Sequence, residues 1–224
     1  MPRSTSSTSP EVTEVTVPFS HAISDETQLR ERYGASPPRR KVIDHVDEGA
    51  RDFIARSPFV LLATTSATGC DASPRGGPPG FVAVLDEHRL AIPDLAGNRL
   101  LDSYGNIVAN PAVGLLFLIP GLDETLRVNG RATLTTDPEV LAQCPIEGRS
   151  TKVAVGVDVD EVYIHCAKAF RRSQLWSPDS WLPADERPSV ACILRDHLAI
   201  DVEPSQIEAD LEKGYAATMW EAGG

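Results

Sequence analysis

The spacing of apolar residues changes from a helical period before residue 58 to a strand period after it. Five apolar residues recur near helical spacing with charged residues between them, and they predict an amphipathic helix that Pro58 ends: Val42, Val46, Ala50, Phe53 and Ile54. A shorter helix is predicted over residues 25–33, where Gly34 supplies the C-terminal stop. Residues 19–57 are therefore expected to form a helical segment.

Short β-rich runs separated by Gly, Pro and Asp turns fill the middle of the chain. The run 59–65 is continuous and long enough for a buried strand, and 81–85 with 89–92 predicts a hairpin. Residues 100–109 predict a helix, and the remaining runs predict strands at 113–119, 125–135, 152–158 and 161–165. Six or seven short strands with one helix suit a mainly β fold, a β-barrel with Greek-key-like connections and flanking helices. They do not suit alternating βαβ units, so a doubly wound nucleotide-binding fold is not expected.

The pattern divides the chain into four segments. Residues 1–18 are rich in Ser, Thr and Pro and predict a flexible N-terminal tail. Residues 19–57 form an N-terminal helical segment, and 58–182 hold the barrel. Residues 183–224 form a C-terminal helical extension, in which 203–218 predicts an amphipathic helix.

Composition narrows the possible partners. The net charge of the 224 residues is −11, which argues against nucleic acid or an anionic membrane as the main partner but not against a small anionic ligand. The four cysteines form no CxxC pair and the chain opens without a signal peptide, so we expect a reducing, cytoplasmic location. No apolar run approaches the roughly 20 residues of a membrane helix. The five histidines are scattered without an HExxH motif, so no metal site is expected.

Two motifs place basic residues where a phosphate can bind. Ser73, Arg75 and Gly76 lie at a strand end and offer a hydroxyl, a guanidinium and a close backbone approach. Asn98 is a candidate N-cap of the helix predicted at 100–109, with Arg99 in its first turn. Free N–H groups at a helix start attract anions. The alternatives are an ordinary turn with a surface arginine for the first motif, and simple capping with a solvent arginine for the second.

Two further segments carry polar or aromatic groups that a ligand could use. Thr125, Arg127 and Asn129 share one face of a predicted strand, which meets either solvent or a polar ligand at a subunit boundary. In the segment 165–176, Arg172 could hold an anion and Trp176 could pack on a flat heterocycle. His165 and Cys166 are adjacent on a predicted strand and point to opposite faces, so they do not form a nucleophile and base pair.

The order of these motifs resembles the pyridoxamine 5'-phosphate oxidase-like, FMN-binding split-barrel flavoproteins, and within them an FMN-dependent subgroup of actinobacterial type. The resemblance covers about residues 38–182, and its motifs are Asp71-Ala72-Ser73-Pro74-Arg75-Gly76, Gly97-Asn98-Arg99-Leu100, Leu126-Arg127-Val128-Asn129-Gly130-Arg131 and the segment 165–176. It implies a homodimer with FMN at the interface between the subunits.

The resemblance also implies a role for each candidate residue. Arg75 and Arg99 would meet the FMN phosphate with Ser73, Gly76 and Asn98 nearby. Ile92 and Pro93 would approach the isoalloxazine ring, and the other subunit would contribute Arg127, Arg172, Ser173 and Trp176. The oxidase's Ser-Arg-Lys phosphate signature is replaced here by Gly97-Asn98-Arg99-Leu100, and its C-terminal substrate-gripping pair has no clear match near residue 224. These departures weaken the case for vitamin B6 oxidation and leave FMN binding intact.

The sequence thus favours an FMN-dependent oxidoreductase that uses a small-molecule substrate and an electron donor, neither of which it identifies. The flavin would carry the hydride, so no acid–base residue is nominated. One alternative is a deazaflavin-dependent reductase of the same fold, because a deazaflavin ring resembles flavin. A second is a non-enzymatic flavin- or haem-binding carrier or sensor, for which His165 is the one histidine near the expected site.

Overall fold

The computed structural model describes residues 19–144, 146 and 151–223, and the chain divides into two compact units, 1–40 and 41–224. The predicted flexible tail, residues 1–18, lies outside the described residues. In the first unit, helix α1 (Glu26–Tyr33) begins where the Asp25 carboxylate accepts the backbone N–H of Gln28 at 2.9 Å. It ends at Gly34, whose φ of 75° suits a residue without a side chain, so the sequence prediction of this helix is confirmed.

The second unit begins with helix α2 (Glu48–Arg56) and continues as a sheet with flanking helices. Its strands are β1 (Phe59–Thr65), β2 (Cys70–Gly76), β3 (Ala83–Val84), β4 (Arg89–Pro93), β5 (Ala112–Leu118), β6 (Thr125–Thr135) and β7 (Ala154–His165). Its other helices are α3 (Asp102–Ala109), α4 (Pro138–Leu141), α5 (Lys168–Ser173), α6 (Val190–Leu198) and α7 (Pro204–Thr218), with short 3-10 turns at Pro178–Ser180 and Ala184–Glu186. Among the described helices, none combines the length and apolarity needed to span a membrane.

The seven strands form one antiparallel sheet in the order β2-β1-β5-β6-β7-β4-β3. Four strands separate β2 from β4 in this order, yet Arg75 on β2 lies 3.8 Å from Asp94, the residue after β4. The sheet therefore curls until these strands approach each other, without closing the hydrogen-bond ladder between them. This is the split barrel, mainly β with Greek-key-like connections, that the sequence predicts.

The core lies inside the curl. Alternate residues of β1, β5 and β6 point inward, so each strand is buried on one face only. The run 59–65, expected to be buried throughout, is one of these half-buried strands. The largest side chains that are almost completely buried come from α2 and the strands: Phe117, Ile54, Leu62, Leu90, Ile92, Leu115 and Leu126. Burying a side chain of this kind stabilises the fold by roughly 1.5–3 kcal/mol.

Two predicted elements differ from the structure. The helix expected from Val42 begins only at Glu48, because Ile43 pairs with Val162 of β7 and the Asp47 carboxylate caps the helix. The two strands expected at 152–158 and 161–165 are one strand, β7. A β-bulge shifts the register opposite Asn129 and Gly130, where a Cβ on Gly130 would overlap the carbonyl oxygen of Asp158.

The C-terminal segment returns to the barrel. Helices α6 and α7 pack on each other, and Trp220 packs against the hydrophobic core. Residues 221–223 then run beside the connection that follows β4, where Leu95 and Ala222 form a β-bridge. The sequence predicted α7 within one residue at its start, and it placed α6 only within a helical extension over residues 183–224. The return of residues 221–223 to the barrel was not predicted.

Candidate functional site

A cavity of about 120 Å³ lies where the curled sheet comes together. Its walls are one face of β2, the connection 94–101, the first turn of α3 and residues 222–223. On β2, Asp71, Ser73 and Arg75 alternate with exposed residues and share the face that lines the cavity. The first motif predicted from sequence therefore borders a cavity instead of forming an isolated surface turn.

Arg75 is at the centre of a hydrogen-bonded network in this cavity. Its Nη1 lies 3.8 Å from the Asp94 carboxylate and donates to the Tyr104 hydroxyl at 3.4 Å. Its Nη2 donates to Ser103 Oγ at 3.4 Å, and Ser103 donates in turn to the Asp71 carboxylate. The guanidinium also lies 5.2 Å from the centroid of the Tyr104 ring. These contacts hold the guanidinium at the boundary between β2, α3 and the residue after β4.

One donor of Arg75 is left over. Its Nε is buried and has no hydrogen-bond partner within the part of the chain that the structure describes. The Arg75 side chain as a whole is 21% exposed, so the cation is partly accessible from the cavity. A buried donor without a partner costs free energy, and an anion in the cavity would pair with the guanidinium charge through the exposed part of the side chain.

Tyr104 acts as a neutral hydrogen-bond donor. Burial raises the pKa of its phenol well above the usual value, and the hydrogen bond that it donates to the Asp94 carboxylate raises the pKa further. The phenol therefore keeps its proton at neutral pH and holds the Asp94 carboxylate in place.

The connection from β4 to α3 has an unusual backbone. Arg99 and Leu101 have positive φ values of 59° and 61°, and α3 begins only at Asp102. The prediction that Asn98 caps a helix beginning at Leu100 is wrong, because the Asn98 carboxamide accepts the N–H of Leu100 at 3.1 Å within a turn. Arg99 accordingly lies before the helix and not in its first turn, although it still lines the cavity.

The start of α3 contributes to the cavity wall in its own right. The cavity is lined by Asp102, Ser103 and Tyr104, the first three residues of the helix. First-turn N–H groups have no acceptor inside a helix, and the helix dipole places partial positive charge there. This end of α3 therefore favours a negative ligand group.

The other predicted residues lie away from this cavity. Gly76 ends β2 and is not part of the cavity wall. Ile92 and Pro93 are buried in β4, with Ile92 in the hydrophobic core. The assignment of all three to a cofactor stays a prediction.

The candidate residues beyond β5 are on other surfaces. Arg127 is exposed on β6 and donates to the Tyr163 hydroxyl at 3.1 Å. Arg172 and Ser173 are exposed on α5. Trp176 stacks on Phe170 at 5.7 Å between ring centroids and donates its indole N–H to a backbone carbonyl. These residues do not line the cavity of their own chain. The prediction that they bind a cofactor together with this cavity therefore requires a second chain.

Several residues of the site were missed by sequence reasoning. Asp71, Asp94, Ser103 and Tyr104 complete the network around Arg75, and Gly223 reaches the cavity from the C-terminus. Asp71 lies two residues from Ser73 on the same strand face, and this spacing could have revealed it. The others are brought in by the curl of the sheet and by the chain's return, which local patterns do not encode.

The cavity fits the phosphate end of a flavin nucleotide better than the whole molecule. Pockets that enclose drug-sized ligands measure roughly 300–1,000 Å³, well above the volume found here. Arg75, Arg99 and the start of α3 offer positive charge, and the carboxylates of Asp71, Asp94 and Asp102 oppose it. The unpartnered Nε of Arg75 shows that these carboxylates do not satisfy every donor. A phosphate fits the cavity on these grounds, and a flavin ring would have to lie outside it.

Comparisons with solved structures give matches at low identity. HupZ of Group A Streptococcus is 16% identical, covering 53% of this chain and 92% of that chain with a TM-score of 0.41. A putative pyridoxamine 5'-phosphate oxidase from Lactobacillus delbrueckii is 24% identical, covering 54% and 95% with a TM-score of 0.39. An FMN-binding protein from Syntrophomonas wolfei is 12% identical, covering 53% and 85% with a TM-score of 0.40. No curated protein matches the sequence.

The family comparison covers more than half of the chain. The model of the pyridoxamine 5'-phosphate oxidase family matches residues 46–166, from just before α2 to just after β7. This region contains the whole sheet, α3, Arg75 and Arg99. The match agrees with the split-barrel fold and with the resemblance in the sequence. The chain belongs to the pyridoxamine 5'-phosphate oxidase family.

Proposed function

We propose that this protein is an FMN-dependent oxidoreductase that holds the FMN phosphate in the cavity between β2 and α3. The observation that carries the proposal is the Arg75 guanidinium, fixed by Asp94 and Tyr104 with a buried Nε left unpartnered among the described residues. Arg99 would add a second charge-assisted hydrogen bond from the connection before α3. Membership of the family supports flavin as the ligand.

The charges around the cavity make both arginines necessary. Three carboxylates and two guanidinium groups border it, so the lining alone carries a small excess of negative charge. A phosphate dianion would be repelled by the carboxylates unless Arg75 and Arg99 both contact it. The N–H groups at the start of α3 add a neutral contribution that attracts the anion without a counter-charge.

When bound, the flavin would supply hydride transfer at its isoalloxazine ring. The residues of this chain would bind the phosphate, orient the ring through that anchor and limit the access of water to the cavity. The substrate would be a small molecule, and a separate electron donor would reduce the flavin. The four cysteines are all free, which supports placing the protein in a reducing cytoplasm.

We further propose that the ring lies at the interface of a homodimer. The cavity is too small for the ring, and the residues predicted to come from the other subunit, Arg127, Arg172, Ser173 and Trp176, do not line it in their own chain. A twofold axis would bring these residues of one subunit beside the phosphate cavity of the other and would create two equal sites.

The direct test of the proposed function is the small molecule that co-purifies with the protein. We expect a yellow protein with a flavin absorption band, and a mass of the released ligand equal to that of FMN. A mass equal to that of a deazaflavin would identify the related cofactor in place of FMN. A Soret absorption band would indicate haem, with His165 as the candidate ligand. A colourless protein that binds none of these on titration would overturn the proposal.

A matched pair of arginine variants tests the placement of the phosphate. Arg99 lines the cavity, whereas Arg131 is exposed on β6 and does not. A charge-assisted hydrogen bond contributes roughly 1.5–3 kcal/mol, so Arg99→Ala is expected to weaken FMN binding about tenfold or more. Arg131→Ala is expected to leave the affinity unchanged in the same fluorescence titration. Equal affinities of the two variants would reject this placement.

A further inference from the structure

The C-terminal residues form part of the cavity wall. Ala96 donates its N–H to the carbonyl of Glu221 at 2.9 Å, and Gly223 donates to the carbonyl of Asp94 at 3.2 Å. With the bridge between Leu95 and Ala222, these bonds pair residues 221–223 with the connection that carries Asp94. We call residues 221–223 the C-terminal strap.

Gly223 lies against the Asp94 carboxylate with no room for a side chain. A Cβ built on Gly223 would be 2.7 Å from Oδ1 of Asp94 and closer still to Cγ and Oδ2. All three of these atoms belong to the carboxyl group, and Asp94 is buried. A side chain at position 223 would therefore have to displace either the carboxylate or the strap.

The carboxylate that Gly223 touches also positions Arg75. It accepts the hydrogen bond of the Tyr104 hydroxyl and lies 3.8 Å from Nη1 of Arg75. The contacts form a continuous chain from the strap through Asp94 to the cation proposed to bind phosphate. Moving the carboxylate would release both the phenol and the guanidinium from their present geometry.

We propose that Gly223 is a positioning residue of the phosphate site, acting through Asp94 on Arg75, and that the C-terminal strap is a wall of that site. The inference rests on the proposed function, because the ligand of the site is taken to be the FMN phosphate. It extends the site beyond the region matched by the family, residues 46–166, to the far end of the chain.

A double-mutant cycle on FMN affinity tests the coupling. Gly223→Ala is expected to weaken FMN binding about tenfold in a fluorescence titration, since its Cβ displaces the Asp94 carboxylate. Gly214→Ala is the matched control, because a Cβ there meets nothing within 4 Å on helix α7. In an Asp94→Ala background the carboxyl group is gone, and Gly223→Ala is expected to have no further effect. If Gly223→Ala weakened FMN binding by destabilising the whole fold, it would also weaken binding in the Asp94→Ala background.

Hydrogen exchange at the Ala96 amide provides a readout that does not require FMN. The amide is expected to be protected in the wild type and in Gly214→Ala, and to lose protection when residues 221–224 are deleted. The Ala96 amide is expected to lose protection in Gly223→Ala too. It is expected to regain protection in the double variant that combines Gly223→Ala with Asp94→Ala. Thermal unfolding of each variant identifies any that fail to fold.

The outcomes separate the inference from the proposed function. If the wild type does not bind FMN, the proposed function fails, and the exchange measurement still decides whether Gly223 is coupled to Asp94. If FMN binds but Gly223→Ala and Gly214→Ala have equal affinities, the positioning role is overturned. A tenfold loss that persists in the Asp94→Ala background would overturn it as well, because the effect would not act through the carboxylate.

Discussion

At the scale of single residues, the site is organised by a cation that the fold largely buries. A buried charge destabilises a protein unless it is paired and hydrogen-bonded, and Arg75 has Asp94 beside it for this purpose. The Tyr104 and Ser103 hydroxyl groups accept hydrogen bonds from the two terminal nitrogens of the guanidinium, so the side chain is fixed before any ligand arrives. A guanidinium group that is already held in place loses less conformational entropy when an anion binds.

The proton on Tyr104 gives this arrangement a pH dependence. Burial and Asp94 raise the pKa of the phenol above its usual value of 10.0, so the folded protein keeps the proton where the unfolded chain loses it. The contribution to stability is fully present below pH 10 and is lost as the pH rises further. The free energy of unfolding is expected to fall by up to about 1.4 kcal/mol per pH unit above pH 10 from this residue.

Urea unfolding at several pH values between 8 and 11 measures this effect. Tyr104→Phe lacks the ionisable group, so its free energy of unfolding is expected to fall less steeply above pH 10 than that of the wild type. Tyr215→Phe, at a half-exposed position on α7, is the matched control and should keep the wild-type slope. Parallel pH profiles for the wild type and Tyr104→Phe would show that the phenol is not held in its neutral form.

Residues of the site differ in how far the sequence could indicate them. Ser73, Arg75, Asn98 and Arg99 were found because a hydroxyl or a cation at a strand end or turn has a local signature, and all four line one cavity. Asp94 and Tyr104 were missed because an acid and a phenol carry no local signature of pairing with an arginine on another strand. Gly223 was missed because its role depends on a contact with a residue far away in sequence.

At the scale of elements, local pattern determined the strands and tertiary contacts altered some boundaries. The bounds of β1 and β6 were predicted correctly, because apolar residues and turn residues mark both ends of each. The predicted start of α2 and the predicted break within β7 were wrong. The start of α2 depends on the bridge from Ile43 to Val162, and the continuity of β7 depends on a bulge. These features arise only when the strands meet.

The end of helix α6 allows a stability test of the C-terminal elements that lead to the strap. Ala199, at the C-cap of α6, has a φ of 51°, in the left-handed region that glycine adopts without steric cost. Ala199→Gly is expected to raise the free energy of unfolding by up to about 1 kcal/mol. Ala209→Gly makes the same change inside α7, at an exposed position, and is expected to lower it by about 1 kcal/mol. Equal effects of the two substitutions in thermal or urea unfolding would contradict this account of the helix end.

At the scale of the whole molecule, the curl of the sheet creates a site that is only partly enclosed. Contacts from β2 to the residue after β4 form the cavity that is proposed to hold the phosphate, and nothing in the described chain extends it to the volume that a flavin ring needs. Large apolar side chains are exposed in and beside α3, with Leu100 at 68%, Leu101 at 59% and Val108 at 78%. The small volume of the cavity supports the proposal that a second copy of the chain completes the site.

The shared site can be tested by mixing two variants that each damage a different half of it. Arg99→Ala removes a cation from the phosphate cavity, and Arg172→Ala removes one from the exposed surface of α5 that is proposed to face the partner's flavin. Each variant alone is expected to bind FMN poorly. In a mixed dimer one site would combine both defects and the other would have neither, so subunit exchange is expected to restore one flavin site per dimer. Light scattering gives the oligomeric state, and exchange between tagged and untagged subunits verifies mixing. A monomeric mass, or no recovery of flavin binding after exchange has been verified, would contradict the shared site and leave the phosphate cavity as a site within one chain.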